Sequence, residues 1–180
     1  MFEATLQNLN TEEYESFIKV SLFKHSFLAE DAASATNVTA TTLTRLFNKS
    51  PLQCKDGKRY FMHQVFQRIA YEELLSSPYL NAVHTSYYQF FLEATSKKSL
   101  QLTTTKHLEA SEFYHRDKVN IFSAWHLCLN NGSLEEIENF ITPLFSFINL
   151  SKEYLQGISL FEPLQKTLED PLISSSGMTI

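Results

Sequence analysis

The stretch DGKRYFMHQVFQRIAYEEL, residues 56–74, gathers several side chains with chemical capacity. Lys58 and Arg59 follow an Asp-Gly pair, and His63 ends a run of strand-forming residues and opens an amphipathic helix. A donor at the first turn of a helix is placed to meet an anion, because the helix dipole and unpaired backbone N–H groups favour negative charge there. Arg45, Lys49 and Lys55 lie nearby in the sequence. Together with Lys58 and Arg59 they form the candidate set for contacts to a phosphate or to DNA.

Other chemistry finds little support. The chain has four glycines and none of the glycine-rich patterns that cradle phosphates. It has no GxSxG and no HExxH. The acid-flanked histidine segment KHLEASEFYHRD places His107 and His115 eight residues apart, about two turns, so they cannot pair at i,i+4 on one helix. That pattern reads as a solvated polar face, and no metal ligand set is expected. Cys128 and His126 have no third group to orient them as a catalytic pair. No catalytic residue is assigned, and the chain is not expected to be an enzyme by itself. Cys54 and Cys128 lack metal or redox spacing and read as two reduced thiols.

The elements that position His63 follow from periodicity. Residues 11–27 read as a first helix, with Thr11 as its cap and Glu12 and Glu13 in its first turn. AEDAASAT reads as a second helix and ATTLTRLFNKS as a third, stopped by Pro51. Leu52–Cys54 and Arg59–Met62 are strand-like, joined through Asp56-Gly57, a pair that tolerates positive φ. A hairpin is therefore expected. QVFQRIAYEELL then carries Val65, Phe66, Ile69, Ala70 and Leu74 along one helical face. Three helices, a hairpin and a following helix make the order of a winged helix over residues 1–76.

Ser77 and Pro78 carry the next start signals, and a domain boundary is expected there. Residues 77–170 read as helical throughout. YLNAVHTSYYQFFLEATS is one helix. SLQLTTTKHLEAS reads as a loop running into the helix of DKVNIFSAWHLCLNNG, whose stripe is Ile121, Ala124, Trp125, Cys128 and Leu129 and whose end is Asn131-Gly132. SLEEIENFITPLFSFINL opens with a capping box, Ser133 to Glu136. Its expected stripe includes Ile137, Phe140, Ile141, Leu144, Phe145 and Ile148, with a kink at Pro143. The last helix runs through KEYLQGISLFEPLQKTLED, where Gly157 implies close packing of a neighbour and Pro163 poses the same problem as Pro143. Each of these helices has an apolar face that it cannot bury alone, which suits paired antiparallel helices stacked as a degenerate array. Residues 171–180 carry no helical pattern and are expected to be a disordered tail. The fold class is thus mainly α, a winged helix joined to a helical array.

Charge limits the partners. The chain carries a formal net charge of −5. Residues 1–75 hold eight Lys or Arg against nine Asp or Glu. DNA backbone binding needs an excess of cations, so DNA is a possible but disfavoured partner. No apolar run reaches the 18 residues of a membrane span, and the N-terminus lacks signal-peptide order, so a cytoplasmic protein without membrane contact is expected.

The segment EEYESFIKVSLFKHSFLAEDAASAT, followed by TLTRLFNKSPLQCKDGKRYFMHQVFQRIAYEEL, resembles the winged-helix module of STAND signal-transduction ATPases of the NB-ARC type. Val20-Ser21-Leu22-Phe23, Phe27, Glu30–Ala33, Leu43–Leu46 and Arg59–Leu74 carry the resemblance. HTSYYQFFLEAT and DKVNIFSAWHLCLNNGSLEE are similar to the tetratricopeptide-like helices that follow in bacterial members. The resemblance spans about residues 12–170. It implies that Met62-His63-Gln64 corresponds to the family's Met-His-Asp motif, with Gln64 departing from the aspartate. It further implies that His63 contacts the ADP phosphates of a neighbouring nucleotide-binding domain in a longer parent chain. ADP or ATP would then belong to the parent and no cofactor to this segment. The partners implied are that nucleotide-binding domain and a protein bound by the helical array. Two other readings stay open: a DNA-binding winged-helix transcriptional regulator with a helical effector domain, and a free-standing helical adaptor.

Overall fold

A computed structural model describes residues 6–169; the tail expected at 171–180 lies outside the described residues. Among them are eight helices and one small three-stranded sheet. In chain order these are α1 (Thr11–Val20), β1 (Phe27–Leu28), α2 (Ala29–Thr36), α3 (Ala40–Asn48), β2 (Leu52–Lys55), β3 (Arg59–Met62), α4 (Gln64–Leu75), α5 (Leu80–Ser99), α6 (His107–Asn131), α7 (Leu134–Ser151) and α8 (Tyr154–Glu169). No described helix is long and apolar enough to cross a membrane.

Helix α1 starts one residue earlier than its sequence suggested. Asn10, not Thr11, is the cap: its side chain accepts from Glu13 N–H at 2.9 Å while Glu13 accepts from Asn10 N–H at 2.9 Å. That reciprocal box satisfies two orphan donors at once. The helix also stops at Val20 rather than running to residue 27, because Phe27 and Leu28 are drawn out to pair with β3. This strand was not legible in the sequence. It is two residues long, and its partner lies more than thirty residues away.

The sheet order is β1-β3-β2, antiparallel throughout, with Phe27 opposite Tyr60 and Leu52 opposite Met62. The hairpin forms as expected. Asp56 and Gly57 take φ of 54° and 64°, and Lys58 N–H donates to Lys55 C=O at 3.2 Å. Positive φ at both central residues matches the twist of the flanking strands. Leu52 and Met62, paired across the hairpin, are buried in the same hydrophobic cluster as Phe17, Leu43, Leu46 and Phe66. In α4, Phe66, Ala70 and Leu74 are buried, while Val65 stands at the edge of the stripe and is exposed.

Ser77 and Pro78 do not open α5. Ser77 N–H donates to Leu74 C=O, which keeps it in the closing turn of α4, and α5 begins at Leu80 with no side-chain cap. Residues 100–106 form turns, as the loop expected there required, and helix α6 is a single 25-residue rod that begins at His107 and so takes in the end of that segment. It ends at Gly132, and the capping box between Ser133 and Glu136 starts α7. Helices α7 and α8 run unbroken through Pro143 and Pro163. Phe145, expected in the buried stripe, is exposed; Phe147 is buried instead, stacked on Tyr114 with ring centroids 4.6 Å apart.

One hydrophobic cluster runs through the chain from Phe17 to Leu160, across the turn at 76–79. An aromatic ladder crosses that seam: Phe27 stacks on Phe23 at 4.2 Å, Phe23 meets Tyr87 at 5.2 Å, and Tyr87 meets Phe91 at 5.1 Å. Helix α5 packs against α2 on one side and against α6 and α7 on the other. Such rings contribute about 0.5–1.5 kcal/mol per pair beyond area burial. The two halves therefore share a core.

Candidate functional site

The joint between β3 and α4 carries His63. Its backbone is extended (φ −63°, ψ 141°), as an N-cap requires, and its Nδ1 accepts from Val65 N–H at 3.4 Å. The His63 side chain is exposed and makes no further hydrogen bond among the described residues, and its backbone carbonyl accepts from Gln67 N–H at 2.9 Å. The first turn of α4 contains no acidic residue to offset the positive end of its dipole.

The five basic candidates divide by partner. Lys58 sits on the tip of the hairpin and Lys55 at its edge, and neither has an acidic partner among the described residues. Arg45 faces Glu12 at 3.4 Å, with both side chains largely exposed. Lys49 turns inward: its Nζ lies 2.6 Å from Glu13 and 2.9 Å from the Asn8 carbonyl. The Lys49 hydrogen bond, followed by the Asn10 N–H, holds the Glu13 carboxyl below the usual range. Arg59 is also internal. Its Nε donates to Ser26 Oγ at 3.0 Å, and its Nη2 donates to the Ser26 carbonyl and to Asp117 Oδ1. A continuous DNA-facing basic surface is therefore absent from this set: Lys55 and Lys58 remain outward, and Lys49 and Arg59 are neutralised from within.

A crevice of about 260 Å³ opens beside the joint, between residues 23–26 and the hairpin. Lys24, His25, Ser26, Lys55, Phe61 and Met62 line it. Lys24 Nζ also lies 4.2 Å from the Tyr71 ring centre on α4, and burial lowers its pKa. Charge on this face is thus positive and lies next to His63.

Sequence reasoning missed the clamp that holds this face to the helical half. Asp117 on α6 is 4% exposed and receives Arg59 on one oxygen and Arg116, in two bonds of 3.0 and 2.7 Å, on the other. Asn120, one turn along, accepts from His25 N–H at 3.0 Å and donates to the Ser26 carbonyl at 3.2 Å. Asp31 lies close enough to feel this charge; burial raises its carboxyl, with Asp117 adding to the effect. The available signal was the placement of Asp117 and Asn120 at i, i+3, in line with buried Tyr114, Ile121 and Ala124. Polar residues on a buried stripe need partners from outside their own helix.

The remaining histidine and cysteine candidates do not converge. His115 lies 3.9 Å from Glu153, whereas Asp117 faces Arg59 and Arg116. No group of metal-ligating side chains forms among the described residues. His126 is exposed and Cys128 is buried, so they face apart.

No family model, curated protein or solved structure matches the chain.

Proposed function

We propose that this chain is a regulatory, non-catalytic segment of a cytoplasmic signalling ATPase of the STAND type. Residues up to about 76 form a winged helix that docks on a nucleotide-binding domain of the same parent chain. The helices of 77–170 form a tetratricopeptide-like array that contacts protein. His63 meets the phosphates of bound ADP and holds the resting arrangement; loss of that contact releases the docked face.

The observation that carries this reading is His63 itself: exposed, at the N-cap of α4, with Nε2 unbonded among the described residues, and next in the chain to Met62 of a crevice lined by Lys24 and Lys55. The order α1-β1-α2-α3-β2-β3-α4 with strand order β1-β3-β2 supports the winged-helix part. Pairing of α5 with α6 and of α7 with α8 supports the array. Duplex DNA is a weaker partner, because Lys49 and Arg59 are tied to Glu13 and Asp117.

The test begins with the coding sequence upstream of Met1. A glycine-rich phosphate loop encoded there is the expected result, and its absence discards the reading. The longer chain is then purified with His63→Ala and compared with wild type for ADP retention. A charge-assisted hydrogen bond contributes about 1.5–3 kcal/mol, so ADP affinity should fall roughly 10- to 150-fold. Equal affinity would remove His63 from the mechanism.

A further inference from the structure

Of the six histidines in the chain, five are exposed and His84 alone is buried, with 7% of its surface exposed. Its buried Nε2 has no hydrogen-bond partner among the described residues. Most buried polar atoms in folded proteins are paired, so an orphan of this kind calls for a reason.

The position of His84 is specific. It lies near the start of α5, and Tyr87, three residues on, shares its face of the helix. Tyr87 meets Phe23 with ring centres 5.2 Å apart. Next to Phe23 in the chain is Lys24, the charge that acts on His84. Two adjacent residues of segment 21–26 thus meet two residues one turn apart on α5, at the aromatic ladder that joins the halves.

No acid offsets a positive charge there. Helix α5 packs on α2, α6 and α7, and the half-buried or buried carboxylates of those helices have other partners. Asp31 accepts from Leu28 N–H, Asp117 holds Arg59 and Arg116, and Glu136 accepts from Tyr88, Gln89 and Ser133. Glu30, Glu109, Glu112, Glu135 and Glu138 on these helices, and Glu93 on α5, are exposed. In the first half, Glu15 accepts from Tyr79 and Glu73 from Tyr14. Lys24 lies over the Tyr71 ring and has no acidic partner among the described residues.

We infer that His84 is a proton-operated latch at the seam. While neutral, it lets α5 close on segment 21–26. A protonated imidazole adds a second positive charge beside Lys24, where no acceptor meets it, and the seam loosens at that point. Segment 23–26 is also a wall of the crevice beside His63, so acidification opens that face. The inference does not depend on any nucleotide-linked role.

The direction follows from linkage. Burial, then the Lys24 charge, lowers the pKa of His84 from the ordinary histidine value. The opened form takes up a proton near pH 6.5, and the closed form resists it, so closure is fully favoured above that pH and lost as pH falls through it. The largest effect, reached if the closed form binds no proton, is a fall of about 10-fold in the closing equilibrium constant between pH 7.5 and 5.5. The other groups do not imitate this. Burial raises the Asp31 carboxyl, which gives the opposite sign. Glu13 and Glu136 are held low, first by hydrogen bonds from Lys49 and Gln89, and lose their contribution only at more acid pH.

The test uses the whole chain. Imidazole resonances followed by NMR from about pH 8 to 5 should show His84 neutral to lower pH than the five exposed histidines. Amide exchange, corrected for the intrinsic pH dependence, should show protection at residues 21–26 and 80–88 falling several-fold, up to about 10-fold, between pH 7.5 and 5.5. Protection around Trp125 and Leu144 should fall less. In His84→Gln and His84→Phe the local fall should be within about 2-fold of none. The wild-type measurements decide the matter even where a variant fails to fold. A His84 that titrates with the exposed five overturns the inference. So does a loss of protection spread evenly over the chain, or one that both variants retain in full.

Discussion

Replacing Asp117 with Asn should be the most damaging single isosteric change near the seam between the two halves. The side chain is 4% exposed and carries the only carboxylate bonded to Arg59 among the described residues, and Arg59 is itself 15% exposed. Asparagine preserves the volume but removes the charge, leaving the Arg59 guanidinium with Ser26 alone inside the fold. Removing one partner of a buried pair costs about 3–5 kcal/mol, because the other charge stays desolvated without compensation. Residual exposure of Arg59 favours the lower figure, about 3 kcal/mol, against a total stability of about 5–15 kcal/mol. The converse change should be milder. Arg59→Met leaves Asp117 bound to Arg116 in two bonds and fills the space with an apolar chain, so about 1 kcal/mol is expected. Urea unfolding reads both. With a slope of about 2 kcal/mol per molar, Asp117→Asn should move the midpoint down by about 1.5 M and Arg59→Met by about 0.5 M. Fluorescence of Trp125, in the helical half, should shift together with the far-UV signal, since the core is continuous. An Asp117→Asn variant within about 0.5 kcal/mol of wild type, or an Arg59→Met variant that costs more, would refute the reasoning.

Two further outcomes are expected. Gly157→Ala should destabilise the chain by about 1–2 kcal/mol in thermal or urea unfolding despite the better helix propensity of alanine, because the added methyl meets the branched Ile148 at 2.8 Å. A gain in stability would show that α7 and α8 are less closely packed than described. Titration with a thiol reagent should modify Cys54 first in the native chain and Cys128 only after denaturant is added. Burial, then the charge of Glu136, pushes the Cys128 thiol up to about 12, which leaves almost no thiolate at neutral pH.

The place of His63 at the joint between β3 and α4 was legible before any coordinates, and so were the elements on either side. The Asp56-Gly57 turn, the strand on each side and the apolar face of α4 are local patterns, and each is favoured by residues next to one another in the chain. The surroundings of His63 were less legible. Five basic residues looked alike in one dimension, yet Lys49 and Arg59 are neutralised by Glu13 and Asp117, and Lys55 and Lys58 are not. The misplacement of Phe145 has the same origin. It belongs to the apolar period of α7, but neither α6 nor α8 covers the edge on which it falls.

What the sequence alone determined here is the presence of most helices, the hairpin and the Ser133–Glu136 capping box, because hydrogen bonds within four residues and a 3.6-residue period decide those. Tertiary structure decided which faces meet. Pairing of Phe27 with Tyr60 and capture of Arg59 by Asp117 fifty-eight residues away both depend on contacts between distant segments. Such contacts form only when a common core has brought their elements together, and no local pattern records which partner a face will find.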